Sequence, residues 1–302
     1  VESQIVIVDN DPALPIPKPT KYGIRNTQYA MTTPNTPWQL TMFHRSLKKQ
    51  LKLDALLRLL GPVTPDQACL LITCGDNNGA LNYYFREHGG QWTWGDVIGE
   101  NLEEMSALLG EPVSHVPADH FPYPNGRFDC LIAIDVLEHL PADQPFLQEV
   151  RRVLRPHGRA IITVPNGDPH LLANRIKWRV GMTPEMYGHT RAGYTVPELQ
   201  TACQQAALTP TAHGGYSRFF TEMAELAVNF GYVFVLSRKK GNAEPGHIAP
   251  TTSGELKTHG AAYRLYSLAF PILKLVSKLD GLLSERSNNA VIVVATPQEA
   301  AP

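Results

Sequence analysis

CLLITCGDNNGALNYYFREHGGQWTWGD, residues 69–96, holds a strand, a glycine turn, a helix, a second strand and a carboxylate in that order. The apolar run Leu70–Cys74 stops at Gly75, and Asp76, Asn77, Asn78 and Gly79 lead into helix-forming Ala80 and Leu81. Glycine keeps such a turn free of side chains, and the first N–H groups of the following helix have no intrahelical partner, so a ligand can approach the backbone. Trp92–Gly95 form the next strand, with Asp96 at its carboxyl end, about twenty residues beyond the first glycine. A carboxylate at that distance is where an open α/β sheet holds a ribose by its hydroxyls.

Downstream the same rhythm repeats. Asn101–Leu109 reads as a helix closed by Gly110, Val113–Val116 as a strand and Ala118–Pro124 as a proline-marked loop. Phe128–Ile134 is almost wholly apolar, as a strand covered on both faces must be, and runs into Asp135-Val136-Leu137-Glu138-His139-Leu140. Asp143 and Pro145 are placed to start a helix ending at His157-Gly158, and Ala160–Val164 is a fifth strand. Thr195 and Glu198 have capping-box spacing, Leu208–Ala212 is a sixth strand and Asn289–Ala295 a last one. This alternation predicts a doubly wound, mostly parallel α/β sheet. In that architecture Gly75, Asp96, Ala118 and Asp135 all lie at strand carboxyl ends and share one crevice.

Around this unit, residues 1–45 are proline-rich and predicted to be an extended arm. Residues 46–214 form the main domain, 215–288 a helical insertion, and 289–302 the last strand and a tail. A helix at Ser46–Leu60 carries Lys48, Lys49, Lys52 and Arg58 on a face expected to be solvated. In the insertion, Phe219–Leu236 and Tyr263–Leu283 are helical, joined by a Gly/Pro/Thr-rich linker at Lys239–His259. Pro271 is placed to start a helix whose Ile272, Leu275, Val276, Leu279, Leu282 and Leu283 form one stripe opposite Lys274 and Lys278. Such a stripe packs on the domain, caps an apolar substrate or meets a membrane surface.

Composition narrows the function. The 27 basic and 28 acidic residues leave no basic surplus, which argues against a nucleic-acid partner. The four cysteines lack CxxC spacing and read as small core residues of a reducing compartment, not as metal ligands. Neither a signal peptide nor a membrane-spanning run is visible, so a cytoplasmic location, with peripheral membrane contact through the insertion, is the expectation. Gly75 and Gly79 give GxxxG in place of the GxGxxG of dinucleotide enzymes, which disfavours an NAD-dependent oxidoreductase.

Taken together, LITCGDNNG, WTWGD, HFPYPNGRFDCLIAIDVLEHL and RRVLRPHGRAIITVPN resemble the class I S-adenosylmethionine (SAM)-dependent methyltransferases, with DVLEHL most similar to the ubiquinone-biosynthesis (methyltransferase type 11) subgroup. The resemblance implies a seven-stranded sheet with its last strand antiparallel, SAM as cofactor, and methyl transfer to a small-molecule or lipid-linked acceptor, with oxygen the expected atom. On these positions, Gly75, Asp76, Asn77 and Gly79 would face the methionine part of SAM and Asp96 the ribose. Ala118 and Asp119 would flank adenine, and Asp135 and Leu137 would line the transfer channel. Glu138 and His139 would be catalytic, with His139 the candidate base; in some relatives the equivalent pair holds a divalent metal. Tyr187, His189 and Arg191 stand where the family has its substrate-covering loop. Thr73 and Asn77 depart from the pattern, which usually has an acid and often a glycine there. That departure motivates the alternative of a non-catalytic SAM-fold binding protein. The oligomeric state is not legible.

Overall fold

The computed structural model describes residues 6–7, 36–75, 77–230 and 260–298. Most of the expected arm, Asp76, the Lys239–His259 linker and the last four residues lie outside them.

Strands β1 (Val6–Ile7), β2 (Ala68–Thr73), β3 (Gln91–Asp96), β4 (Val113–His115), β5 (Phe128–Ile134), β6 (Leu154–Pro165), β7 (Leu208–Tyr216) and β8 (Ala290–Pro297) form one sheet in the order β1-β7-β8-β6-β5-β2-β3-β4. Strands β2 to β6 pair in parallel, while β8 runs antiparallel to both β6 and β7. This is the mixed, doubly wound sheet expected of the methyltransferase fold, with the two-residue β1 added at one edge.

Side chains alternate across the sheet and fill two cores. Leu70, Ile72, Leu131, Ala133 and Ile162 face Phe146, Leu147 and Val150 of α5 (Gln144–Val153) and Leu199 and Cys203 of α7 (Val196–Gln205). Cys69, Leu71, Cys130, Ile132 and Ile161 face the other side. There they meet α1 (Trp38–Phe43), α2 (Leu47–Leu60), α3 (Ala80–Arg86) and α4 (Leu102–Leu109). All four cysteines are buried and unbridged. Full burial of a side chain such as Leu56 stabilises by roughly 1.5–3 kcal/mol.

Several local expectations change. The segment before residue 46 ends in α1, whose Leu40 and Phe43 join the core. Helix α5 stops at Val153 instead of His157-Gly158, because Leu154 pairs with Phe128 and draws the chain into β6. Asp143 sits at the α5 N-cap without capping it, since its carboxylate accepts from the Tyr194 hydroxyl at 2.8 Å. Pro271 lies inside α9 (Gly260–Ser277), which begins a full eleven residues earlier. The capping box forms as expected: Thr195 Oγ1 accepts from Glu198 N, and Glu198 accepts from Thr195 N at 2.7 Å. Among the described residues the insertion holds α8 (Phe219–Phe230), α9, and 3₁₀ turns at Lys278–Leu282 and Glu285–Ser287, and the rest of the helix expected up to Leu236 lies outside them. α6 (Leu172–Arg179) lies against α8.

Candidate active site

Register places the glycine turn beside the acid. Thr73 is level with Asp96 on β3, and β2 also pairs with β5, so the carboxyl ends of three strands meet. Gly75 has φ +62°, and a Cβ there would lie 2.9 Å from Ile98 Cδ1, so only glycine fits without a shift. Asn77 and Asn78 are buried and shape the turn: Asn77 Oδ1 accepts from Gly79 N at 3.3 Å and Asn78 Oδ1 from Ala80 N at 3.2 Å. Asn77 Nδ2 also donates to Asn82 Oδ1 at 2.7 Å, so Asn77, at the position where the resembled family often has glycine, builds the turn.

Asp96 has no exposed surface. Its carboxylate accepts from Thr73 Oγ1 (2.7 Å), from Gly75 N (3.1 and 3.2 Å), from Ile98 N (3.0 Å) and from Gly99 N (2.9 Å). These four donors take up the capacity of a carboxylate. An acid in place of Thr73 would set two carboxylates against each other across this short distance; the threonine replaces repulsion with a bond.

At the end of β5, Asp135 has φ +50°, a left-handed conformation costly for a non-glycine residue. Its carboxylate pairs with Lys52 of α2. The face of α2 expected to be solvated therefore turns two lysines inward, because Lys48 pairs with Glu222 of α8 at 3.0 Å. Lys177 of α6 reaches the same Glu222 at 2.8 Å and Ser217 donates to it at 2.5 Å. Burial works against the charge on Glu222, but Lys177 and Lys48 hold it well below the usual carboxylate range. Sequence reasoning missed Lys52, Lys177 and Glu222. A signal existed for Lys48 and Lys52, which precede the buried Leu56 at four-residue steps.

Leu137 is wholly buried in the core. Glu138, also without exposed surface, His139 and His189 come together so that one ligand atom from each lies within 4.8 Å of the others. The two imidazoles meet edge to face with centroids 4.8 Å apart, and Tyr187 lies beside His189 at 5.7 Å. Thr190 stitches this loop in place, donating its N–H (2.8 Å) and hydroxyl (2.9 Å) to the Glu138 carbonyl. His139 Nδ1 lies 3.2 Å from the Gly188 carbonyl, a contact that makes Nδ1 the donor and leaves Nε2 as an acceptor. Burial, then the neighbouring His139, lowers the His189 pKa to about 4, so its ring is neutral at pH 7. One carboxylate and two imidazoles can serve as a base cluster or hold a divalent cation.

The loop at Ala118, half-buried, and Asp119, exposed, is braced from α5. Glu149 accepts from Phe121 N at 2.6 Å, and Arg152 donates to the Phe121 and Tyr123 carbonyls. Arg191 is not brought to the cluster. It stacks 3.7 Å from the Tyr194 ring centroid, pairs with Asp143 at 3.6 Å and lines a separate concavity with Pro197 and Thr201.

Residues 70–162, from β2 to most of β6, match the family model described as a methyltransferase domain. Over these residues the chain therefore carries a methyltransferase domain, a domain type whose cofactor is S-adenosylmethionine. Solved structures share the fold at low identity. Geranyl diphosphate methyltransferase in complex with GPP and sinefungin is 14% identical with TM-score 0.51, covering 89% of this chain and 86% of that one. Geranyl diphosphate C-methyltransferase from Streptomyces coelicolor A3(2), in complex with Mg2+, geranyl-S-thiolodiphosphate and S-adenosyl-L-homocysteine, is 11% identical with TM-score 0.50, covering 89% and 84%. The [4+2]-cyclase SpnF is 17% identical with TM-score 0.51, covering 83% and 82%. No curated protein matches the sequence.

Proposed function

We propose that this chain transfers the methyl group of SAM to an oxygen of a small-molecule or lipid-linked acceptor. The observation that carries the reading is the meeting, at adjacent strand ends, of the Gly75 turn, Asp96 and the Glu138–His139–His189 cluster. The residues fit the cofactor in that Gly75, at φ +62°, makes a tight turn that carries no side chain of its own beside Asp96. In this reading the Gly75–Gly79 turn, with Asp76, faces the methionine part, and Ala118 and Asp119 flank the adenine. Asp96 has no spare acceptor site, so holding the ribose exchanges an amide bond from Gly75 or Gly99 for a hydroxyl bond.

Bound SAM supplies a methyl group activated by its sulfonium. The protein's part is alignment and proton removal. His139, its Nδ1 tied to Gly188, takes the acceptor's hydroxyl proton at Nε2 while His189, neutral, supports it. Glu138, His139 and His189 are also the residues that would hold a divalent cation, whose contribution would be to acidify the acceptor hydroxyl. Lys52 orients Asp135 beside the channel, and Tyr187 closes the acceptor side. No helix among the described residues is long and apolar enough to cross a membrane, and we place the enzyme at a membrane surface through its insertion.

Incubation with methyl-labelled SAM and fractionated cell extract tests this reading. Label should enter one fraction with matching release of S-adenosylhomocysteine, and His139→Ala should slow release by roughly 10²–10⁴-fold, the range of general-base catalysis, without losing SAM binding. Binding of SAM with no turnover on any fraction would favour the non-catalytic reading raised by Thr73 and Asn77.

A further inference from the structure

Helix α9 continues into the 3₁₀ turn Lys278–Leu282, and the two share an apolar ridge that no other described element covers. Leu268 (78% exposed), Ile272 (67%), Leu275 (66%), Leu279 (42%) and Leu282 (82%) follow at steps of four, three, four and three. That spacing holds all five on one side over about 20 Å. The ridge is not the helix's packing face. Phe270, with Leu273, turns to the opposite side and packs with Leu47 and Ala224, tying α9 to α2 and α8. Scattered exposed leucines are ordinary, but a continuous row of five is a patch with a use.

Charge selects the occupant. Lys274, Lys278 and Arg286 are exposed along the ridge and its end. The acids of the same stretch face inward: Asp280 accepts from Arg218 N at 2.9 Å and Phe220 N at 2.8 Å, capping α8, and Glu285 pairs with Arg218 at 3.7 Å. The exposed side of this stretch thus shows leucine and isoleucine. Lys274 and Lys278 border them on one side, about a quarter to a third of a turn around the helix, nearer than the opposite face expected from sequence. No acid among the described residues of the stretch faces outward. Two copies joined by this ridge would crowd lysines of like charge at its edge, whereas anionic headgroups would neutralise them.

We propose that this ridge docks the protein on an anionic lipid bilayer, with Leu268, Ile272, Leu275, Leu279 and Leu282 entering the acyl boundary and Lys274, Lys278 and Arg286 meeting the headgroups. The proposal deepens the membrane-side reading above and rests on it, while vesicle binding is measured without SAM or acceptor and so fails or succeeds independently of methyl transfer. Flotation of the full chain with phosphatidylcholine vesicles, with and without phosphatidylglycerol, tests it. The protein should float with anionic vesicles and lose this at high salt. Lys274→Gln and Lys278→Gln should each weaken partitioning about fivefold. Leu275→Ser with Leu282→Ser should weaken it more than tenfold at unchanged Tm. Three results would overturn the proposal: no flotation with anionic vesicles, a solution dimer that the double leucine variant dissociates, or a lowered Tm in that variant, which would mean the chain itself covers the ridge.

Discussion

Thr73 donates to a carboxylate that has no contact with solvent, so its hydroxyl matters more than its size. Thr73→Val keeps the shape and removes the donor. It should cost about 1.5–3 kcal/mol of stability, the scale of a hydrogen bond to a charged group. Urea denaturation measures this, and an unchanged midpoint would mean that Asp96 does not depend on Thr73. At this scale the sequence is partly legible. Gly75, Asp96 and Glu138-His139 are marked by punctuation at strand ends, which survives in one dimension. Lys52 and Arg191 are not, because a lysine on a helix and an arginine in a loop have the same surroundings in sequence whether they turn in or out. Only the fold shows Lys52 reaching Asp135 and Arg191 lying on Tyr194.

Among elements, the bond between the insertion and the domain rests on Glu222, which two lysines from α2 and α6 clasp. Glu222→Ala leaves two partly buried cations facing each other without their shared counter-charge and should destabilise by roughly 1.5–3 kcal/mol, the scale of a lost hydrogen bond to a charged group. Glu222 is held below its unfolded value near 4.5, so its contribution is complete above that pH and is lost as pH falls through the folded value. Stability should therefore drop on acidification below about pH 4.5, and Glu222→Gln should flatten that drop. A variant with the same acid limb as the wild type would contradict the assignment. Helix existence is legible because apolar residues recur at fixed steps, and the Thr195 capping box is a local code. The end of α5 is not, since β5 pairing at Leu154 overrides the His157-Gly158 stop signal.

For the whole molecule, the rhythm of apolar runs and glycine turns makes the parallel part of the sheet legible from sequence, whereas the antiparallel β8 is implied only by the family resemblance and the strand order is visible only in the fold. The charge clasp between α2, α6 and α8 is not legible either, because it joins residues from Lys48 to Glu222 that no local pattern connects. The same long-range assembly exposes the α9 ridge. Calorimetric titration of the full chain with SAM tests the central claim most directly. The account predicts saturable one-to-one binding, no comparable heat with NAD, and affinity at least about tenfold weaker in Asp96→Ala, the scale of a lost bond to a charged group. Absence of heat with SAM, or undiminished affinity in Asp96→Ala, would contradict it.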